Sequence, residues 1–373
     1  MKILQLIPNI SGGGAERFVV DLSNELAKTH EVTLLTLYDK REKDLFREEL
    51  APEIEIESLG KQVGFDRKII PKLYKAIKRI APDVIHNHLR TFNYLMPVIP
   101  FLKRVPIVHT VHSDAYKECP NPKIRRSRKQ FFKRNIIMPV TISKESKNSF
   151  TKAYNGMSSK LIYNGRACLE KSNQYLTVAK NIEKLKTDNK TRVFVHIGRI
   201  AGEKNQLMLT NAINRLVDED GANAILLILG GGRDTNESRD IQEKLHQAEQ
   251  EHPHIHLMGE QLNATDYLFV ADFFCLSSIY EGMPITLIEA FATGTIPIST
   301  SVGGITEMIS ELDDSLLSKK VDINSYYEAL KRAYFLSEEK KQLLGTQAQQ
   351  LFAEKYSIEF CSIQYLNLYR KLI

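Results

Sequence analysis

Short apolar segments alternate with longer amphipathic ones along most of the 373-residue chain. Segments of strand length, such as Lys2–Ile7, Ile107–Val111 and Ala224–Leu229, are separated by stretches with helical periodicity. This alternation is typical of α/β proteins with a mostly parallel sheet. Since one domain usually holds about 100 to 200 residues, we expect two Rossmann-like domains.

The pattern also predicts the individual elements. Strands are predicted at residues 2–7, 32–37, 84–86, 107–111, 138–142, 160–163, 193–197, 224–229, 255–258, 273–276 and 296–299. Helices are predicted at 15–28, 206–217, 326–335, 338–352 and 358–372, with one more starting at 284. The polar, weakly periodic stretch 166–190 is predicted to be a linker between domains.

Composition argues against several classes of protein. The cysteines are far apart and form no C-x-x-C pair, so we expect neither a disulfide framework nor a cysteine metal site: Cys119, Cys168, Cys275 and Cys361. No apolar run approaches the ~18 residues of a membrane span, and Met1 leads directly into a strand rather than a signal peptide. We therefore expect a cytoplasmic protein.

The stretch 271–309 combines a strand, a turn, a helix and a second strand. Pro284 stands where a helix favours its first residue, because proline lacks the N–H group that would have no partner there. Gly294 is predicted to end the helix. Since the turn 281–284 follows the carboxyl end of a strand, where parallel sheets bind ligands, we expect the helix N-terminus to face an anion.

Two carboxylates bracket this helix start, Glu281 and Glu289, with seven residues between them. An isolated pair at this spacing is usually an exposed turn residue and a solvated helix residue. Glu289, however, lies among apolar neighbours, and a buried charge needs a partner. A hydroxylated ligand would be a suitable one.

The segment EGMP at 281–284, followed by Glu289, resembles the signature of retaining glycosyltransferases of family 4. Those enzymes have the GT-B fold, two Rossmann-like domains facing an interdomain cleft. The resemblance implies that Glu281 contacts the donor sugar and that Glu289 binds the ribose hydroxyls. It also implies that the backbone between them holds the sugar and phosphate, at Gly282, Met283 and Pro284.

The same resemblance sets the predicted domain boundaries. Residues 1–168 would form the acceptor domain and residues 169–355 the nucleotide-sugar domain. The C-terminal helix, about 356–373, would pack back on the first domain.

Two further segments fit a site for a diphosphate. Arg199 and Lys204 lie at a predicted helix N-terminus, capped by Asn205, and two cations there suit a diphosphate. They match the family's pattern of Gly-Arg followed by a Lys five positions after the Arg, which implies that they neutralise the nucleotide diphosphate. Gly13 and Gly14 follow the first strand, and the resemblance places their loop at the donor phosphates.

The glycine loop has two other interpretations. It is equally consistent with an ordinary tight β-to-α turn. A dinucleotide-binding fold is disfavoured, because Arg17 stands where the last glycine of G-x-G-x-x-G belongs, although Asp39 ends the second strand as a ribose-binding acid would.

Polar side chains follow two strands of the first domain and are expected to line the cleft: His86, Asn87, His88, Arg90, His109 and His112. The family's Val-x-His pattern implies that His112 contacts the transferring sugar. The residue after it departs from the family, because Ser113 stands where an Asp or Gly is usual. We predict that His88 and Arg90 lie on the acceptor side.

No convincing metal set is found. His252, His254 and His256 alternate, but no carboxylate or cysteine completes a ligand set. Asp218 and Asp220 spell D-x-D in a turn and are interpreted as solvent-facing. We predict that no metal or other cofactor is required.

A basic segment, 123–134, holds seven Lys or Arg and no acid, and it includes Arg125, Arg126, Arg128 and Lys129. A second basic helix contains Lys68, Lys72, Lys75, Lys78 and Arg79. Both belong to the acceptor domain, so we predict contact with the anionic inner face of a membrane. A solvated helix face and a nucleic-acid binder are the alternatives, and the second leaves Glu281 and Glu289 unexplained.

We therefore expect a retaining glycosyltransferase that moves a hexose or N-acetylhexosamine from a nucleotide sugar to a glycan or lipid-linked acceptor in cell-surface polysaccharide assembly. The resemblance favours a UDP-sugar, with GDP-mannose next. A sugar-nucleotide epimerase or hydrolase of the same fold is an alternative.

Overall fold

The computed structural model describes residues 1–39, 44, 46–102 and 105–373. The chain divides into two compact units. The N-domain comprises Met1–Ala167 and Lys355–Ile373, and the C-domain comprises Cys168–Glu354. These boundaries lie one residue from those predicted. Each unit is a parallel sheet with helices, so the expected α/β class with two Rossmann-like domains is confirmed.

The N-domain sheet has the order β3-β2-β1-β4-β5-β6-β7, and its described pairings are parallel. Its strands are β1 (Lys2–Ile7), β2 (Glu31–Thr36), β3 (Glu55–Ser58), β4 (Val84–His88), β5 (Ile107–Val111), β6 (Ile137–Thr141) and β7 (Lys160–Leu161). Strand β3 was not predicted, because this short edge strand is half-exposed and carries two glutamates.

The C-domain sheet has the order β10-β9-β8-β11-β12-β13, again with parallel pairings. Its strands are β8 (Arg192–Ile197), β9 (Ala224–Leu229), β10 (Ile255–Gly259), β11 (Phe273–Leu276), β12 (Ile296–Thr300) and β13 (Leu317–Ser318). The two-residue strand β13 was missed, because no periodicity can be read from so short a segment.

Helices cover both sheets, and we number them in chain order. The N-domain helices are α1 (Gly14–Ala27), α2 (Ile69–Ile80), α3 (Phe92–Leu95), α4 (Ala115–Glu118), α5 (Pro122–Lys133), α6 (Lys144–Ala153) and α15 (Ile358–Leu372). The C-domain helices are α7 (Tyr175–Leu185), α8 (Gln206–Asp220), α9 (Asn236–Glu251), α10 (Ala264–Val270), α11 (Ile285–Thr293), α12 (Gly304–Ser310), α13 (Ile323–Tyr334) and α14 (Glu338–Leu351). Within the described residues, no helix combines the length and apolar character that crossing a bilayer requires.

The predicted linker 166–190 is wrong over Tyr175–Leu185, because this part of it is helix α7. Val178 and Ile182, one turn apart, are buried where α7 packs on α10. Only two of its apolar residues are buried, so the helical periodicity was too weak to predict a helix. The chain leaves the N-domain already at Ala167.

The C-terminal helix α15 packs on α1 within the N-domain. A π-helical turn, Phe352–Tyr356, precedes it. Two backbone hydrogen bonds tie this return to the end of the first segment: Arg166 N donates to Tyr356 O at 3.0 Å, and Ile358 N donates to Arg166 O at 2.9 Å.

Arg17 replaces the third glycine of a dinucleotide fingerprint because it has a structural role. Its guanidinium is buried and lies 2.8 Å from Asp21 Oδ1, while Arg166 lies 2.8 Å from Asp21 Oδ2. The Asp21 carboxylate therefore joins α1 to the segment where the chain leaves the domain.

Candidate active site

The turn that carries Glu281 lies between β11 and α11, at the carboxyl edge of the C-domain sheet. Pro284 has an extended backbone (φ −69°, ψ 127°) and is the N-cap, so the helix begins at Ile285, one residue later than predicted. Gly294 ends the helix in the left-handed conformation, at φ 76°. The turn therefore precedes free N–H groups at the start of a nine-residue helix.

Glu281 and Lys204 contact each other directly. Lys204 Nζ lies 2.5 Å from Glu281 Oε1, and Ser278 Oγ donates to the same oxygen at 2.7 Å. The Lys204 side chain is 20% exposed and the Glu281 side chain 10%, so both are partly accessible to solvent at this edge. The structure thus joins two predicted site residues that are 77 positions apart.

The loop after β12 packs against the backbone of this turn. A Cβ at Gly303 (φ 57°) would lie 1.9 Å from the carbonyl oxygen of Glu281, and Gly304 N donates to Gly282 O at 2.7 Å. Thr300 Oγ1 donates to Ser278 O at 2.6 Å. Ser278 and Gly303 were missed, and the signal for Gly303 was a glycine pair that begins four residues after the end of a predicted strand.

Arg199 lies on the loop between β8 and α8, the loop that also carries Lys204. Its Nη2 is 2.6 Å from Glu203 Oε1, and the pair is more than a third exposed. Gln206 Nε2 donates to the Arg199 carbonyl at 2.9 Å, which fixes the backbone of the loop. Both predicted diphosphate-binding cations are therefore paired with carboxylates at this edge of the sheet.

Asn205 stands at the predicted N-cap position of α8, but its side chain does not cap the helix. Its backbone is left-handed (φ 54°, ψ 41°), and its amide contacts Met208 Sδ at 3.4 Å. Asparagine tolerates this conformation better than most residues. Its contribution is thus to the shape of the Lys204 loop rather than to capping.

Glu289 is 8% exposed on a helix whose other buried residues are apolar. It makes an interaction within the protein, so its charge is not isolated. Met283 and Pro284 are also buried, and Gly282 is half-buried. Of the segment predicted to hold sugar and phosphate, Gly282 is therefore the most accessible residue.

In the N-domain, Gly13 is the N-cap of α1 and Gly14 is its first residue. A Cβ at Gly13 would lie 2.4 Å from Glu16 Oε2, so a side chain there would displace that carboxylate. The glycine loop thus lies at the start of a 14-residue helix, as predicted.

The prediction that a whole row of polar residues lines a cleft is wrong for four of them. His86, Asn87, His88 and His109 are completely buried, because central strands of a parallel sheet are covered on both faces. His88 therefore does not lie on an open acceptor side, whereas Arg90 is exposed at the end of β4.

His112 is the half-buried member of this row. Its Nε2 lies 2.9 Å from His88 Nδ1, and its ring packs edge-on against Phe18 of α1. Burial lowers the pKa of His112 to about 4, so the ring is neutral at physiological pH. Among the described side chains, Nδ1 of His112 has no hydrogen-bond partner.

Helix α15 supplies hydroxyl groups to this buried layer. Tyr369 OH lies 2.6 Å from His86 Nδ1, and Tyr365 OH lies 3.0 Å from Thr110 Oγ1. The two tyrosines are four residues apart and both buried, so they form one face of the helix. This polar contact between the C-terminal helix and the sheet was not foreseen.

The proposed membrane contact at Arg128 is wrong. Its side chain is 1% exposed, its Nη1 lies 3.1 Å from Glu118 Oε1, and its Nη2 donates to Asn93 Oδ1 at 3.0 Å. His109 Nε2 reaches the same Glu118 oxygen at 2.8 Å. Burial raises the pKa of Glu118, but His109 and Arg128 outweigh that effect and hold it below the usual range.

The other three residues of that basic cluster differ in exposure. Arg125 Nη1 donates to Cys119 O at 2.8 Å, and its guanidinium lies over the Tyr116 ring. Arg126 is exposed and Lys129 is half-buried. Only part of helix α5 is therefore a free cationic surface.

The two sequence patterns considered for a metal, the alternating histidines and the D-x-D turn, make ordinary contacts within the protein. His254 Nε2 lies 2.8 Å from Asn214 Oδ1, ahead of β10. Asp218 is exposed, but Asp220 is not solvent-facing as predicted, since it contacts Lys331 Nζ and Tyr327 OH at 2.5 Å each. No cluster of three or more potential His, Cys, Asp or Glu ligands occurs among the residues described.

Comparison with known proteins matches nearly the whole chain to two family models. The model described as Glycosyltransferase Family 4 matches residues 12–166, and the model Glycosyl transferases group 1 matches residues 177–350. The second range contains the Lys204–Glu281 contact.

Curated relatives match most of the chain. The capsular polysaccharide biosynthesis glycosyltransferase CapH of Staphylococcus aureus is 27% identical, over 89% of this chain and 90% of its own. The UDP-Gal:alpha-D-GlcNAc-diphosphoundecaprenol alpha-1,3-galactosyltransferase of Escherichia coli is 26% identical, over 72% of this chain and 70% of its own.

A solved structure, that of HepE from Anabaena in complex with UDP, superposes with a TM-score of 0.82. It is 17% identical and covers 100% of both chains. A likeness at this identity shows the fold, and the predicted GT-B class is thereby confirmed.

Proposed function

The chain is a glycosyltransferase of family 4, and on this premise we propose that it moves a hexose or N-acetylhexosamine from a UDP-sugar to a lipid-linked glycan, with retention at the anomeric carbon. The observation that carries the proposal is the contact of Lys204 with Glu281 beside the start of α11. The contact brings together the cation that we propose for the diphosphate and the carboxylate that we propose for the sugar.

Names of relatives and neighbours support the choice of donor and acceptor. The Escherichia coli relative is named for UDP-Gal and for a diphosphoundecaprenol acceptor, and HepE was crystallised with UDP. A GDP-sugar is the second candidate for the donor. An undecaprenol-type lipid is the acceptor that we propose.

The chemistry follows from where charge develops. When the bond between the sugar and the diphosphate breaks, negative charge grows on the leaving group, and positive charge grows on the sugar. Lys204 and Arg199 would stabilise the first, and Glu281 the second. Since Lys204 is paired with Glu281, we propose that it is shared with the diphosphate once the donor binds. His112 is the proposed sugar contact of the N-domain.

Calorimetry and product analysis test this function. We expect UDP to bind at least tenfold more tightly than GDP, and incubation with a UDP-sugar and a lipid-linked acceptor to give an α-linked product from an α-linked donor. Tighter binding of GDP would move the donor to a GDP-sugar. Release of free sugar or an epimer without any acceptor would contradict transfer.

We predict that transfer needs no divalent metal, because Arg199 and Lys204 supply fixed positive charge at the diphosphate end. Turnover in excess EDTA should stay within about twofold of the untreated value. The measurement is initial rate with EDTA, and then with added manganese or magnesium. Complete loss in EDTA with rescue by either metal would contradict the prediction and direct attention to Asp218 and Asp220.

A membrane-facing surface for the lipid acceptor is proposed on helix α2 rather than on Arg128. Lys68, Lys75 and Lys78 are exposed there. Nearby loops expose apolar residues to an unusual extent, with Val63 96%, Phe65 65% and Phe101 71% accessible.

These residues belong to one side of the N-domain. The Phe101 ring lies 6.4 Å from that of Tyr74 on α2, and Lys78 Nζ lies 6.0 Å from the same Tyr74 ring. Phe65 stacks on Tyr94 of α3, which packs on α2. Exposed aromatic rings next to lysines are typical of surfaces that insert shallowly between anionic lipid headgroups. We name this surface the α2 face.

We predict that changing Lys75 and Lys78 to Ser weakens binding to anionic liposomes by about 2 kcal/mol at low salt, since each basic residue near such a bilayer contributes about 1 kcal/mol. Co-sedimentation at low and high salt measures the effect. The matched control changes Lys180 and Lys184, two exposed lysines on α7, to Ser. Equal losses in both variants, or no binding of the wild type, would contradict the proposal that the α2 face binds the membrane.

A further inference from the structure

Three side chains at the carboxyl edge of the N-domain sheet form a hydrogen-bonded chain. Gln5 of β1 places Oε1 2.8 Å from His88 Nε2. His88, at the end of β4, places Nδ1 2.9 Å from Nε2 of His112, just after β5. Gln5 and His88 are fully buried, so these partners cannot be exchanged for water.

The positions of the protons follow from the first partner. An amide oxygen only accepts, so His88 Nε2 must carry a hydrogen. A neutral imidazole has a single N–H, so His88 Nδ1 is an acceptor and His112 Nε2 donates to it. Burial holds the pKa of His88 well below its ordinary value, which keeps this ring neutral.

The last atom of this hydrogen-bonded series, Nδ1 of His112, is then a ring nitrogen without a hydrogen. Nδ1 of His112 has no hydrogen-bond partner in the part of the chain that is described. A lone pair there suits a hydroxyl donor, and sugars present several. With the opposite tautomer, the same nitrogen would be a donor.

The orientation of the Gln5 amide decides between the two tautomers, because turning it over would reverse every proton in the chain. In the structure Oε1 is the Gln5 atom directed at His88 Nε2, and Gln5 Nε2 has no hydrogen-bond partner among the described residues. The tautomer argued above is the one that goes with this orientation.

We infer that Gln5 and His88 are positioning residues, which hold the proton of His112 on Nε2 and leave Nδ1 to accept a hydrogen bond from a hydroxyl of the transferred sugar. The role of the acceptor nitrogen depends on the proposed function. The tautomer itself does not.

The tautomer is measured on the ligand-free protein labelled with 15N-histidine. Two-bond 15N–1H spectra distinguish N–H nitrogens from bare ones, and spectra of His112→Asn and His88→Asn assign the two rings. We expect Nε2 of His112 to be the N–H nitrogen.

In Gln5→Met, which keeps the volume but removes the acceptor, the preference should be lost and kcat/KM should fall about tenfold, the value of one hydrogen bond.

A second variant and a control separate positioning from packing. Gln5→Glu places a carboxylate against His88, which favours a protonated ring whose Nδ1 donates to His112 Nε2, so the proton of His112 should move to Nδ1 and kcat/KM should fall as in Gln5→Met. Ser23→Ala removes another buried polar group, on α1, and should change neither. A proton on Nδ1 of wild-type His112, or an unchanged tautomer in Gln5→Met, overturns the inference. Absence of transferase activity with every nucleotide sugar would instead contradict the proposed function.

Discussion

Glu281→Gln is expected to lower kcat by about 100-fold or more while UDP still binds with an affinity within about threefold of the wild type. The carboxylate is proposed to act on charge that exists mainly in the transition state, so its loss affects turnover rather than ground-state binding. The amide can still accept hydrogen bonds from Ser278 and Lys204, which keeps Lys204 in place for the diphosphate. Steady-state kinetics and calorimetry with UDP measure the two quantities separately.

The matched control for this variant is Glu203→Gln. Glu203 also pairs with a predicted diphosphate-binding cation, Arg199, but it is 46% exposed and lies in the loop between β8 and α8 rather than at the start of α11. We expect kcat to change by less than about threefold. A Glu281→Gln enzyme that turns over normally, or one that loses UDP affinity as strongly as turnover, would contradict the assigned role.

The C-domain half of the site was predictable because its residues lie where strands end. Lys204 and Glu281 follow β8 and β11, which are neighbours in the sheet, so their loops meet at the same edge. What the sequence did not show was their direct contact, nor the support from Gly303. Those depend on how two loops distant in sequence pack against each other.

The N-domain predictions failed where a polar residue has a buried partner distant in sequence. Counting charges made Arg128 part of a cationic surface, yet it occupies the inward face of α5 with Phe132, four residues later. That spacing was visible, because Ile124, Arg128 and Phe132 form one stripe. The partner, Glu118, lies ten residues earlier, and no local pattern pairs the two.

The buried histidines have a similar explanation. On β4 both alternating faces are covered, so polar residues there belong to the core and need partners inside it. Those partners come from β1, β5 and the C-terminal helix, for example Gln5 for His88 and Tyr369 for His86. Sequence periodicity identifies the strand but not the hydrogen bonds that make its polar residues tolerable.

Glu289→Ala is expected to weaken UDP binding by about 2 to 3 kcal/mol, which corresponds to roughly 30-fold to 160-fold in Kd, the range for hydrogen bonds to a charged group. Glu289 lies on α11, which begins directly after the Glu281 turn, and it is 8% exposed. We propose that the Glu289 carboxylate accepts hydrogen bonds from the ribose hydroxyls. Calorimetry with UDP and with uracil measures the effect, since uracil lacks the ribose and should bind both proteins equally.

The control Glu328→Ala removes an exposed carboxylate from α13 and should leave UDP affinity unchanged. Because Glu289 also makes an interaction within the protein, thermal unfolding of each variant is measured to show that the domain remains folded.

At saturating donor, kcat of Glu289→Ala should stay within about threefold of wild type, since a ribose contact binds ground state and transition state alike. The two glutamates of the helix start would then differ in kind: loss of Glu281 lowers kcat at constant affinity, whereas loss of Glu289 lowers affinity at constant kcat. A folded Glu289→Ala enzyme with wild-type UDP affinity would contradict the ribose assignment.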